Sequence, residues 1–143
     1  MVYQERVAWA GLIGTVVSVS LYLFLLWGFR ATPVEQTDWL WPMLWAIGVG
    51  IGLSIVISIV WGIIAGRKDL AAATATDIRD RDITRMGGRV EHSFLVIAGV
   101  AVISLCAFRS DPFWIAQTMY AGFAVSAFIG GIARVIAYRR GLV

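Results

Sequence analysis

Residues Thr76–His92 read TDIRDRDITRMGGRVEH. Whether this polar stretch is a loop or the start of a helix decides how many helices the chain has. The apolar run behind it, Phe94–Phe108, is only 15 residues long, short of the ~18–20 that a helix needs to cross hydrocarbon. Ile83, Met86, Val90, Phe94 and Ile97 recur at spacings of three and four, which sets them on one helical face. That face continues from the polar stretch into the apolar run. The two therefore read as one helix, spanning the bilayer over about 90–108 and extended into the cytoplasm as an amphipathic segment over 76–92. Thr76 or Asp77 can cap its start, and acids near that end suit the positive pole of the helix dipole. Asp77 and Arg81 form a four-residue pair in the favourable order, while Arg81, Arg85 and Arg89 repel mildly. Gly87 and Gly88 each weaken a helix by about 1 kcal/mol relative to alanine, so a kink or break there is the alternative.

Working outward, three longer uncharged runs flank this stretch: Val7–Phe29 with 23 residues, Trp39–Ala65 with 27 and Phe113–Ala133 with 21. Hydrophobic content of 59% against 15% charge is far above the globular norm. Continuous rather than alternating apolar character excludes a β-barrel. The expected fold is all-α: a single integral membrane domain, a four-helix bundle of two antiparallel hairpins. Its helices fall at about 7–29, 39–65, 90–108 and 113–134. The first run is too long for a removable signal, has no small-x-small site at its end and has only Arg6 before it, so it is not expected to be cleaved. Cys106 stands alone, which excludes an internal disulfide framework. The single histidine excludes bis-histidine haem ligation within one chain.

Small residues mark the packing faces. Gly50, Ser54, Ser58, Gly62 and Gly66 fall four apart along the second helix, leaving a full-length stripe with almost no bulk, where another backbone can approach closely. Packing against the first or third helix is the plain reading of it, and a seam between two copies is the other. Gly122, Ser126 and Gly130 form a second stripe in the fourth helix, and Ala10, Gly14 and Ser18 a looser one in the first. Trp27, Trp39, Trp41 and Trp45 suit an aromatic belt at one interface. Arg134 can snorkel from the end of the fourth helix. With four crossings, Arg6, Arg67, Lys68, Arg79, Arg81, Arg85, Arg89, Arg134, Arg139 and Arg140 share one side, and only Arg30 and Arg109 lie on the other. That asymmetry assigns both termini to the cytoplasmic side of a bacterial-type inner membrane. Phe29-Arg30-x-x-Pro33 and Phe108-Arg109-x-x-Pro112 close the first helix of each hairpin alike, a pattern that a repeat or ordinary interfacial turns would both produce.

The chemistry is sparse. Asp80, Asp82, Glu91 and His92 have no metal-site spacing, and solvated charge accounts for them. His92 at the membrane boundary could sense pH. Interleaved acids argue against nucleic acid, and anionic lipid headgroups are the simpler partner for the arginines. None of the four apolar runs holds the ionisable group that a transporter usually places at membrane depth. No nucleophile–base or acid–base pair is visible, so the chain reads as non-enzymatic, with no cofactor and no metal. Gln117 and Thr118 are the most polar neighbours in the fourth helix and are expected to bond between helices.

Asp77-Ile78-Arg79-Asp80-x-x-Ile83, followed by Gly87, Arg89 and a membrane helix, resembles a pattern in small bacterial four-helix membrane proteins of unknown function, the DUF2178 family. The pattern there is roughly D-E-R-D, then Ile, then Gly-x-Arg, between the second and third helices. This chain departs from it at Ile78, where an acid is usual. The resemblance covers about 13 residues and implies a fold without an assigned activity. The expected function is that of an interaction or accessory subunit, with Asp77, Arg79, Asp80, Arg81, Asp82, Arg85, Arg89 and His92 contacting lipid, a protein partner or a second copy. A small oligomeric transporter or channel is the alternative.

Overall fold

The computed structural model describes residues 3–28, 33, 38–66 and 78–140. Among them are four α-helices and no strand: α1 (Tyr3–Trp27), α2 (Leu40–Gly66), α3 (Ile78–Ala107) and α4 (Pro112–Arg140). Each is long and apolar enough to cross a membrane. α1 begins at Tyr3 rather than at residue 7, and α4 continues to Arg140 rather than stopping at 134. Thr76, Asp77, Arg67, Lys68 and Arg30 lie outside the described residues, so the cap, the Asp77–Arg81 pair and part of the charge asymmetry lie there too.

α3 is one unbroken helix of 30 residues, and the break considered at Gly87–Gly88 does not occur. Gly87 is buried, and a Cβ there would come 2.5 Å from Cγ of Arg134. Close packing on α4 thus outweighs the low helix propensity of the pair. At the other end α3 closes by a Schellman motif. Arg109 takes the left-handed conformation (φ 52°), its amide donates to Cys106 O, and the Ser110 amide donates to Leu105 O. Asp111 then caps α4 by accepting from the Phe113 amide at 2.8 Å, with Pro112 at the first helical position, where its missing N–H does no harm.

The helices pack in the spatial order α2, α1, α4, α3. The substantial contacts are α1 with α2, α1 with α4, and α3 with α4. In each pair residue numbers rise on one helix as they fall on the other. Ser18 meets Gly50, Gly14 meets Ser54, and Arg6 reaches Trp61 O at 3.0 Å. Gly87 meets Arg134, Glu91 meets Gly130, and Ala98 meets Gly122. Ser18 bonds Tyr120, and Leu12 touches Gly131.

The α1–α2 seam uses half of the α2 stripe. Gly50 is buried, with Ser18 Cβ 2.7 Å from where its Cβ would stand, and the Ser54 hydroxyl donates to Ala10 O at 3.2 Å. Ser58 turns back to Ser54 O. A Cβ on Gly62 would meet nothing within 4 Å, so the expectation of one full-length packed stripe is corrected there. Next to it the contact of α1 with α2 is made by the long Arg6 side chain on Trp61 O, not by close backbone approach at Gly62. The surroundings of Gly66 lie outside the described residues. On α4 the whole small stripe faces α3: Gly122 sits under Ala98, the Ser126 hydroxyl donates to Glu91 O at 2.8 Å, and Gly130 sits under the Glu91 side chain.

The outward faces are apolar. Val56, Ile59, Val60 and Ile63 on α2 and Val96, Ile97, Val100 and Ile103 on α3 are exposed. The face α3 turns to α4 is instead mixed: Asp80, Ile83, Gly87 and Ala98 are buried on it, whereas Met86 and Ile97 of the apolar stripe are exposed.

Candidate functional site

Of the residues singled out on α3, Arg81, Asp82, Arg85, Arg89 and His92 are exposed. Asp80 is not: it is 5% exposed, which removes it from the contact surface expected of it. It lies on the α4 side of α3, two turns before Gly87, where the Tyr138 hydroxyl comes up beside Asp80 and Thr84 without making a hydrogen bond of good geometry among the described residues. Asp77 and the side chain of Arg79 lie outside the described residues. What remains is a helix with one face against α4 and an opposite face carrying three arginines at four-residue spacing. Among the described residues these three make no ion pair.

An ion pair that charge spacing did not anticipate lies between α3 and α4. Arg134 Nη2 donates to Glu91 Oε1, and each side chain is 26% exposed. Arg134 does not snorkel outward as expected. It folds back over Gly87, with Nε directed at Gly130 O at 3.4 Å. Two glycines make the space. A Cβ on Gly87 would strike Arg134, and one on Gly130 would strike Glu91. Each charged side chain therefore rests on a glycine of the facing helix. Glu91 stood in the polar stretch and Arg134 at the end of an apolar run, but their pairing needs the α3–α4 register. The Gly-Gly dipeptides 87–88 and 130–131 were the available signal.

The pair lines a groove of about 830 Å³. α1 and α2 supply Leu12, Thr15, Ile51 and Ile55, α4 supplies Phe123 and Ala127, and the polar end is formed by Thr84, Glu91 and Arg134. Toward the other end, Ser18 and Tyr120 share a hydrogen bond at 3.1 Å. Just beyond, Gln117 Nε2 donates to the Tyr22 hydroxyl, and the Tyr22 and Tyr120 rings meet edge to face at 4.8 Å. Gln117 thus bonds between helices, as its position implied. The start of α1 meets the end of α4, where the Arg139 guanidinium lies 5.5 Å over the Trp9 ring.

Among the described residues no three His, Cys, Asp or Glu side chains gather as metal ligands. Asp82 and His92 stay exposed while Glu91 is committed to Arg134. Comparisons with protein-family models, curated proteins and solved structures find no match to this chain.

Proposed function

We propose that the chain is a multi-pass protein of a bacterial inner membrane, built of two antiparallel hairpins with both termini cytoplasmic. In this reading it acts without catalysis, as an interaction or accessory subunit. Its docking surface is the outward face of the cytoplasmic part of α3: Arg81, Asp82, Arg85, Arg89 and His92. The apolar outer faces of α2 and α3 support the membrane setting, since soluble proteins rarely expose continuous patches of that size. At 1.5 Å per residue, α3 is about 45 Å long against ~30 Å of hydrocarbon, so its charged first turns stand clear of the core.

The observation that carries the docking surface is the sidedness of α3. Asp80, Ile83 and Gly87 are buried on α4, while the three arginines face outward and, among the described residues, have no internal ion-pair partner. Anionic lipid alone would contribute about 1 kcal/mol per basic residue, and lysine would serve as well. A partner that offers carboxylates needs the planar fork of arginine, which lysine cannot reproduce. The test replaces Arg81, Arg85 and Arg89 together, once by lysine and once by glutamine, and measures recovery of co-purifying protein in mild detergent. Loss in both variants is the expected result. Loss in the glutamine variant alone would reduce this face to a membrane-surface charge patch.

One observation favours the second reading, a small oligomeric transporter: the Glu91–Arg134 pair lies on two helices able to cross a membrane and lines the groove. Ionisable groups in such places often mark a pathway. Uptake into liposomes containing only this chain would support it.

A further inference from the structure

We infer that the groove is a binding site for one phospholipid whose head carries both a phosphate and a primary ammonium. Its acyl chains would lie along α1, α2 and α4. The groove's volume of about 830 Å³ is within the roughly 300–1,000 Å³ typical of ligand clefts. Nearly all its lining is apolar, and its charged groups are at one end only.

The charges there match a zwitterion. Arg134 uses Nη2 on Glu91 Oε1 and directs Nε at Gly130 O. Among the described residues Arg134 Nη1 and Glu91 Oε2 have no further partner, although both side chains line the groove. Guanidinium N–H groups bind phosphate oxygens in charge-assisted hydrogen bonds, and a carboxylate oxygen accepts from an ammonium in the same way. A head with both groups satisfies the two open positions while the internal pair stays intact. A purely anionic head leaves its charge beside Glu91, an unfavourable approach in a medium of low dielectric. The pair is also a built feature, since Gly87 and Gly130 are the only residue type that leaves room for it. Under the cytoplasmic assignment of the C-terminus it stands at the cytoplasmic edge of the hydrocarbon. Gly130, on which the pair rests, is 18 residues along α4 from Pro112, about 27 Å at 1.5 Å per residue and so just inside the far edge of the ~30 Å core.

Gly11 supplies a plug. It lines the groove, and a Cβ there meets nothing within 4 Å, so a leucine enters the groove without touching a helix contact. The inference rests on the membrane-spanning reading and not on the docking face of α3. Retention of the chain in alkali-washed membranes tests that reading separately.

The experiment uses the full chain in detergent and titrates it with phosphatidylethanolamine and with phosphatidylglycerol of identical acyl chains, scoring bound lipid by native mass spectrometry. The expected result is one tight site with about a tenfold preference for phosphatidylethanolamine, the effect of a single charge-assisted contact. Gly11→Leu should abolish that site and leave the lipid-free unfolding midpoint unchanged or raised by the better helix propensity of leucine. Glu91→Gln, measured below its own midpoint, should erase the preference between the two lipids. Equal binding of both lipids by the native chain, or an undiminished tight site in Gly11→Leu, would overturn the inference. Failure of Gly11→Leu to fold would overturn it as well, because the space assigned to the lipid would then be occupied by protein.

Discussion

At the residue scale, Glu91 and Arg134 tie α3 to α4 by an ion pair seated on two glycines. Lipid surrounds apolar side chains about as well as protein does, so helix association in a bilayer draws little from hydrophobic burial and more from close packing and polar contacts. The pair combines both, because each partner sits in the space of a missing Cβ. Removing one charge leaves the other without compensation, and each is only 26% exposed. Glu91→Gln should therefore destabilise the chain by roughly 1–3 kcal/mol, the cost of stranding a partly buried polar partner. Joint replacement, Glu91→Gln with Arg134→Met, should recover most of that loss, since a buried pair replaced as a unit costs less than one that is broken. The measurement is reversible unfolding in mixed detergent. A double variant no more stable than the single one would mean that the pair is not the coupled unit described.

At the element scale, the two ends of the α2 stripe make opposite demands. Gly50→Leu must displace Ser18 and the Gly14 carbonyl, 3.0 Å from the added Cβ, and should cost about 1–3 kcal/mol as overpacking does. Gly62→Leu meets open space and should be neutral, or stabilising by up to about 1 kcal/mol through helix propensity. Unfolding midpoints of the two variants in the same detergent decide this, and equal losses would show that α2 packs along its whole length after all. Sequence spacing marked both glycines alike, because it shows which residues share a face but not where a neighbouring backbone comes close. The same limit explains α3. The three-and-four spacing of Ile83, Met86, Val90, Phe94 and Ile97 showed a continuous helix, which the structure contains, yet Ile97 is 65% exposed. Where lipid is the solvent, an apolar stripe can face outward over part of its length, as Met86 and Ile97 do while Ile83 is buried, so the habit of soluble proteins misleads. Three of the helices were legible from run lengths, and the fourth only from the spacing that joins the 15-residue run Phe94–Phe108 to the polar stretch before it. The buried position of Asp80 and the Glu91–Arg134 pairing required the register of two helices 43 residues apart at the pair.

At the scale of the whole molecule, the proposed orientation rests on the charge asymmetry of the sequence. In a Cys106→Ser background, an impermeant thiol reagent outside intact cells should label Ser110→Cys and Thr32→Cys but not Thr76→Cys. External labelling at residue 76 would invert the topology, and with it the depth assigned to Arg134. The row α2, α1, α4, α3 has a consequence in time. α1 is made first and α4 last, so the central seam of the protein joins the earliest helix to the latest. Until α4 is synthesised, the Ser18 and Tyr22 hydroxyls lack the partners they have in Tyr120 and Gln117. A polar group left unsatisfied in hydrocarbon costs several kcal/mol. If the chain spans a bilayer as proposed, the first hairpin alone leaves these two hydroxyls unanswered, and the packing of α4 on α1 answers both.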